Sequence, residues 1–261
     1  MIHNTNACSG YETCMAYTSD LGASVRKVRG LLEALGLEKK IKIAYDEWNL
    51  RGWYHPNVHT IRQGVTKEEY LYPRDDNDIN SQYTMADAVF TACFLNMVNR
   101  NCDIVGMANF APIVNTRGCI FTYEDGIVLR TTYHVFDLYV NYMGDTVLDS
   151  WQEQVPVKTM TNVRGEEVSV DQLDVCITSF SDREGFAIAA VNKEAEEMQE
   201  LVLDLNAEGS VTLHYISGES RDSYNDIGRD EVVILHEEAG EYAPGMKLLL
   251  KPHSVYIIEI R

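Results

Sequence analysis

Apolar residues recur at two different periods along the first 145 residues, and the alternation predicts helices and strands in turn. Residues 21–35 carry apolar side chains three and four positions apart, which is typical of an amphipathic helix, and Gly36 is placed to end it. The other elements predicted in this region are strands at 41–45 and 104–108, a helix capped by Thr84 with Asp87 three positions on, and a helix over 131–143. Strands that alternate with helices predict parallel βα units.

After about position 145 the pattern changes to short apolar runs separated by turns rich in Gly, Asn, Asp and Glu. The runs predicted as strands are 168–170, 174–180, 186–191, 201–205, 211–216, 232–235, 246–250 and 254–260. Several short strands at nearly regular spacing are typical of an antiparallel β-sandwich. The sequence therefore predicts two domains, residues 1–145 of the α/β class and residues 146–261 of the all-β class.

Charge supports the same division. Residues 1–145 hold 17 acidic and 13 basic side chains, a net charge of −4, and residues 146–261 hold 23 and 9, a net charge of −14. The total of −18 disfavours nucleic acid and anionic membranes as partners, because both select basic surfaces. No apolar stretch approaches the ~18 residues of a transmembrane helix, and no secretory leader is visible, so we expect a cytoplasmic location.

The candidate chemistry lies at the end of the strand predicted at 41–45, where Asp46 and Glu47 precede Trp48. Catalytic groups of βα proteins lie at the carboxyl ends of the strands. A glutamate there can attack an anomeric carbon, while aromatic rings pack against the sugar. Strict alternation places Asp46 and Glu47 on opposite faces, so that if Glu47 points into the mouth of a barrel, Asp46 points toward the surrounding helices. The plain alternative is a solvated Glu47 beside tryptophans, Trp48 and Trp53, that anchor the core.

Three segments carry a resemblance to a known family. Residues 41–49 end in Asp-Glu-Trp-Asn, residues 83–96 follow as a helix, and residues 105–115 contain Ala-Asn-x-Ala-x-x-Val-Asn. They resemble strand 7, the next helix and strand 8 of the α-L-arabinofuranosidases of glycoside hydrolase family 51. The resemblance implies the C-terminal portion of a (β/α)8 TIM barrel followed by a jelly-roll-like β-sandwich. It also implies a retaining hydrolase that removes terminal α-L-arabinofuranosyl residues from polysaccharides or oligosaccharides. It implies no cofactor and no metal, and a homo-oligomeric full-length enzyme.

The resemblance also implies residue roles. Glu47 becomes the catalytic nucleophile, and Asn109 lies in the wall formed by strand 8. Trp53 corresponds to a tryptophan that contacts substrate, although Leu50, Arg51 and Gly52 shift its position. His3 corresponds to a strand-6 histidine. His55 follows Trp53 and either lines the sugar pocket or is a loop histidine without a role. The chain departs from the family pattern where Pro112 replaces a glutamine and Thr5 replaces a tyrosine.

A retaining glycosidase needs a second carboxyl group as acid/base, which this family carries in an Asn-Glu pair, and no such pair occurs in the chain. Glu12 is expected to precede a helix and face solvent. We therefore expect the acid/base residue to lie outside this chain, which would be the C-terminal part of a longer enzyme. Two alternatives stay open: a catalytically silent chain with a packing or carbohydrate-binding role, and a related barrel glycosidase acting on glucans or xylans. A calcium loop over 76–87 is disfavoured because Ser81 replaces the required glycine.

Overall fold

A computed structural model describes residues 11–50, 83–115, 118–162, 164–206 and 209–261. The predictions for His3, Trp53 and His55, and most of the disfavoured calcium loop, lie outside the described residues. In the described part of the chain, no helix is long and apolar enough to cross a bilayer.

The first part of the molecule contains a parallel pair of strands with helices around it. Strands β1 (Ile43–Trp48) and β2 (Val105–Phe110) run parallel, as the alternating pattern predicts. The helices are α1 (Tyr11–Ala16), α2 (Ala23–Ala34), α3 (Met85–Arg100) and α4 (Thr131–Tyr142), and a short 3-10 turn spans Tyr17–Asp20. Strands β1 and β2 are two of the eight parallel strands that a (β/α)8 barrel requires, so the described residues do not by themselves form a closed barrel.

Helix α3 connects β1 to β2 and begins as the sequence predicts. The Ala86 amide donates to Thr84 Oγ1 at 3.2 Å, and the Thr84 amide donates to Asp87 Oδ2 at 2.9 Å. This capping box satisfies two amides that the first turn of a helix leaves without partners. Helix α3 is buried over most of its length, whereas Leu31 of α2 and the following C-cap residue Leu35 are largely exposed.

The second part is built on a six-stranded sheet and a separate pair of strands. Their bounds are β5 (Thr146–Val147), β8 (Leu173–Ser179), β9 (Phe186–Asn192), β10 (Gln199–Leu203), β11 (Gly209–Ile216), β12 (His236–Tyr242), β13 (Met246–Leu250) and β14 (Ser254–Ile260). The strand order of the sheet is β12-β11-β14-β9-β8-β5, and the separate pair is β10-β13. A further hairpin of this part is β6 (Val157–Thr161) with β7 (Glu167–Asp171), and the first part contains the hairpin β3 (Ile120–Tyr123) with β4 (Gly126–Leu129). All named strand pairs of this second part are antiparallel.

Both faces of the six-stranded sheet are covered. Ile188, Tyr256 and Ile258 belong to one core, shared with β10 and β13, whereas Ala189 and Ile257 belong to a second core shared with α3 and α4. Because alternate residues of β9 and β14 enter different cores, both strands consist mainly of apolar residues. Burying a side chain the size of Ile257 contributes roughly 1.5–3 kcal/mol to the free energy of unfolding.

Two sequence predictions need correction. Residues 232–235 form no strand, and the strand of this region is β12, whose sequence is His-Glu-Glu-Ala-Gly-Glu-Tyr. Val233 is buried in the apolar core, and its amide and carbonyl pair with the side chain of Asn225 instead of with a neighbouring strand. Strand β12 lies at the edge of the sheet, where exposed charges discourage pairing with another sheet. Glu12 does not precede a helix; it is an exposed residue within α1.

Candidate active site

The carboxyl ends of β1 and β2 lie at the same edge of the parallel pair. Trp48, the last residue of β1, is opposite Phe110, the last residue of β2. Asp46 and Glu47 come just before this end and are both exposed. An accessible carboxylate at this edge has the position of a catalytic group in βα architectures.

Strand β1 is irregular at the two acidic residues. Tyr45 is opposite Ala108 and Trp48 is opposite Phe110, so two residues of β1 correspond to Asn109 alone on β2. One extra residue of this kind is a β-bulge, which redirects side chains and is common next to active sites. Asp46 and Glu47 are both exposed, and the bulge interrupts the strict alternation that the sequence predicts for this strand.

The bulge allows Tyr45 and Trp48 to contact the same helix. The Tyr45 ring meets Phe94 of α3 edge-on at 5.3 Å, and the Trp48 ring stacks on Phe94 at 4.0 Å. Trp48 also meets Phe110 at 5.1 Å, and Phe110 meets Phe136 of α4 at 5.1 Å. Aromatic pairs of this geometry contribute about 0.5–1.5 kcal/mol each beyond burial. Trp48 is therefore a core anchor that fixes the backbone beside Glu47.

Asn49 connects the ends of the two strands to the start of α3. Its amide nitrogen donates to the Ala111 carbonyl at 3.2 Å and to the Tyr83 hydroxyl at 3.4 Å. The Ala111 amide in turn donates to the Trp48 carbonyl at 3.2 Å. The backbone on the C-terminal side of Glu47 is thus held from two directions. The sequence pattern alone does not indicate this role of Asn49.

Asn109 is exposed on β2, and the register places it across the ladder from Asp46 and Glu47. Of the residues predicted to form the site, the structure therefore brings Glu47 and Asn109 together. Within the described residues, no group of three or more His, Cys, Asp or Glu side chains is arranged to hold a metal ion.

Arg130, another residue that the sequence pattern does not indicate, is almost fully buried at the start of α4. Its Nη1 donates to the Gly118 carbonyl at 2.8 Å, and its guanidinium carbon lies 5.2 Å from the ring centroids of both Tyr83 and Phe121. Arg130 therefore ties the segment after β2 to the residue that precedes the cap of α3. In the sequence, Arg130 is recognisable only as a charged residue between an apolar strand and a helix.

The chain is similar to known proteins over most of its length. A family model described as "Alpha-L-arabinofuranosidase C-terminal domain" matches residues 46–254. The chain is 29% identical over 208 residues to "Probable alpha-L-arabinofuranosidase C" of Aspergillus flavus, covering 77% of this chain and 37% of the relative. It is 26% identical over 247 residues to "Alpha-L-arabinofuranosidase C" of Emericella nidulans, covering 93% of this chain and 44% of the relative.

Solved structures agree at the level of the fold. The α-L-arabinofuranosidase of Thermotoga maritima, solved as an arabinose complex, superposes with a TM-score of 0.77 at 24% identity, covering 96% of this chain and 50% of that one. A family 51 α-L-arabinofuranosidase from Bifidobacterium longum gives a TM-score of 0.74 at 22% identity, covering 98% and 50%. The chain thus spans about half of these solved chains, and less than half of the two curated relatives.

Proposed function

Because the chain belongs to the family of α-L-arabinofuranosidase C-terminal domains, we propose that it carries the nucleophile of a retaining glycoside hydrolase. The hydrolase removes terminal α-L-arabinofuranosyl residues from arabinose-containing polysaccharides or oligosaccharides. The acid/base carboxyl group comes from residues outside this chain, since the chain has no Asn-Glu pair. The proposed enzyme is cytoplasmic and homo-oligomeric.

The observation that best supports this function is the environment of Glu47. Glu47 is an exposed residue near the carboxyl end of a parallel strand, while Trp48 and Asn49, the next two residues, are held by the core and by β2. A nucleophile needs this combination of access to the anomeric carbon and a fixed backbone. In the glycosylation step, a Glu47 oxygen bonds to the anomeric carbon as the bond to the leaving oxygen breaks. The acid/base group protonates that oxygen.

The other site residues have supporting roles in this proposal. Asn109 presents a polar side chain to the sugar from β2. Trp53, His3 and His55 complete the sugar site. Residues 1–145 form part of a (β/α)8 barrel, and residues 146–261 form the β-sandwich domain that follows it.

Substitution of the nucleophile tests the proposal. In the full-length protein that carries this chain, Glu47→Ala is expected to lower kcat on an aryl α-L-arabinofuranoside by roughly 10³-fold or more, because no glycosyl ester can form. Azide is expected to restore release of the aryl group by attacking the face that Glu47 leaves empty. Glu33→Gln, which changes an exposed carboxylate on α2, is the matched control and should keep wild-type kcat. Wild-type turnover by Glu47→Ala would refute the assignment.

The missing Asn-Glu pair favours a second candidate, a catalytically silent chain that serves for packing or carbohydrate binding. The two candidates differ in what the full-length protein does. Hydrolysis that depends on Glu47 excludes the silent role for the full-length protein. Binding of arabinosyl oligosaccharides without hydrolysis supports it.

A further inference from the structure

A loop of the β-sandwich lies against the start of two helices in the βα part. This loop, residues 217–235, connects β11 to β12 and is called the sandwich loop below. The Met85 amide, at the start of α3, donates to the Ser223 carbonyl at 3.1 Å. Asn225 Nδ2 donates at 2.9 Å to the carbonyl of Leu129, which ends β4 and directly precedes Arg130, the N-cap residue of α4. The sandwich loop therefore contacts both helices at their N-terminal ends.

These helix starts lie at the edge of the molecule that carries Glu47. Helix α3 ends at Arg100 and β2 begins at Val105, so the C-terminal end of α3 is near the amino end of the parallel strands. Its N-terminal end is consequently at their carboxyl end. The hydrogen bond between Asn49 and Tyr83 confirms this placement directly.

Asn225 is the polar centre of the contact. Its side chain is almost completely buried, and its amide nitrogen donates to the carbonyls of Leu129 and Val233 at 2.9 and 2.8 Å. Its amide oxygen accepts the Val233 amide at 2.7 Å. Two donated bonds and one accepted bond require a carboxamide, because a carboxylate cannot donate and an apolar side chain can do neither.

A buried hydrogen-bonded path leads from Leu129 to the residues beside Glu47. Thr131 Oγ1, two residues after Leu129, lies 2.8 Å from the Tyr83 carbonyl and 2.9 Å from the Thr84 carbonyl. The Tyr83 hydroxyl accepts the hydrogen bond from Asn49, two residues after Glu47. Tyr83, Thr84 and Thr131 are all buried, so water cannot readily replace the hydrogen bond of Thr131, whereas Asn49 is half-buried.

We propose that Asn225 is a positioning residue, through which the sandwich loop holds the carboxyl end of β1 in place beside Glu47. The sandwich then contributes to the reaction without touching the substrate. The catalytic consequence rests on the proposed function, whereas the mechanical coupling between Asn225 and the end of β1 does not. A nucleophile displaced by a fraction of an ångström loses transition-state stabilisation more than ground-state binding, so the expected effect is on kcat.

Hydrogen exchange of backbone amides in the 261-residue protein tests the coupling without an activity assay. Asn225→Ala is expected to accelerate exchange at least fivefold for the amides of residues 46–50 and of Ala111. The matched control is Asn206→Ala, which changes an exposed asparagine elsewhere in the sandwich. Its amides should exchange at the wild-type rates. Acceleration confined to the sandwich loop and Leu129 would overturn the inference.

A second variant interrupts the path at its midpoint and covers the case in which Asn225→Ala does not fold. Thr131→Val removes the hydroxyl at nearly constant volume. It is expected to accelerate exchange at residues 46–50 while the sandwich loop stays protected. Wild-type exchange at residues 46–50 in this variant would contradict the proposed path.

Steady-state kinetics of the full-length protein test the catalytic consequence. Asn225→Ala is expected to lower kcat about tenfold with KM within twofold of wild type, a split typical of a lost transition-state interaction. Asn206→Ala should change neither constant. An unchanged kcat would overturn the positioning role while leaving Glu47 as nucleophile. If the wild type cleaves no arabinofuranoside, the proposed function fails, and the exchange data still decide whether Asn225 is coupled to β1.

Discussion

Glu47 is exposed at a point where its strand neighbours are firmly anchored. Tyr45 and Trp48 both contact Phe94, although strict alternation would direct them to opposite faces of the strand. The extra residue between them allows both contacts and leaves Asp46 and Glu47 at the surface. The aromatic contacts and the exposure of the carboxylates are therefore parts of one local arrangement.

A second carboxylate, Glu259, is buried in the mainly apolar strand β14. It accepts hydrogen bonds from Arg183 at 3.2 Å and from Arg261 at 2.9 Å, and His214 Nε2 lies 3.0 Å away. Burial by itself raises the pKa of this carboxyl, but the hydrogen bonds from Arg261 and His214 outweigh it. The pKa of Glu259 is consequently below its ordinary value of 4.5.

The lowered pKa predicts how stability depends on pH. A depressed pKa in the folded state stabilises the protein above the unfolded-state pKa, and this contribution is lost as the pH falls through the folded-state pKa. Glu259→Gln should therefore lower the free energy of unfolding at pH 7 and have a progressively smaller effect below about pH 4. Denaturant unfolding from pH 7 to pH 3 measures this difference. Glu241→Gln on exposed β12 is the control. If Glu259→Gln lowered the free energy of unfolding equally at pH 7 and at pH 3, the prediction would be contradicted.

At the residue scale, the sequence predicts which residue types lie at the end of β1 but not how they are oriented. Local periodicity assumes strict alternation, and the bulge depends on contacts of Tyr45 and Trp48 with a helix that begins 37 residues after Trp48. Arg130 and Asn225 were missed for the same reason. Their partners are distant in sequence, and a buried polar residue has no periodic signal.

At the scale of elements, strands buried on both faces were predicted well and exposed edges poorly. Strands β9 and β14 form apolar runs because two cores cover them, and their predicted and observed bounds nearly coincide. Edge strand β12 carries Glu237, Glu238 and Glu241 and has no apolar run to detect. The apolar residues 232–235 belong instead to the sandwich loop, where Val233 is buried beside Asn225.

A polar link between α3 and β8 joins the two parts of the molecule. Arg100 forms a bidentate ion pair with Asp174 at 2.9 and 3.0 Å, and Asn96 donates to the same carboxylate at 2.8 Å. The Tyr139 hydroxyl of α4 donates to the Asn96 amide oxygen at 2.7 Å. Helices and sheet are thus connected by hydrogen bonds as well as by apolar packing.

Removal of the carboxylate tests this link. Asp174→Ala is expected to lower the free energy of unfolding by about 2 kcal/mol, because Arg100 and Asn96 lose their shared acceptor in a partly buried site. Chemical denaturation of the wild type and the variant measures the difference. Asp171→Ala removes an exposed aspartate from the end of β7 and should change stability by less than about 0.5 kcal/mol. Equal decreases in the free energy of unfolding of the two variants would show that the contacts of Asp174 do not stabilise the protein specifically.

At the scale of the whole molecule, the βα part and the sandwich share a core and a polar interface. One apolar core contains residues of α3, α4, β9 and β14 together. The change in periodicity and charge near position 145 predicts where the sheet-rich part begins but gives no indication of this shared core. Sequence periodicity describes single elements, whereas the contact between the two parts depends on which faces are left uncovered after each has formed.

Covalent trapping in the full-length protein tests the central claim most directly. An arabinofuranose-configured cyclitol epoxide presents an electrophilic carbon where the anomeric carbon would lie, and the nucleophile opens it to form a stable ester. Peptide mass spectrometry is expected to place one adduct on Glu47 in the wild type, with no adduct in Glu47→Gln. An adduct on Asp46 or on any other carboxylate, with Glu47 unmodified, would contradict the account.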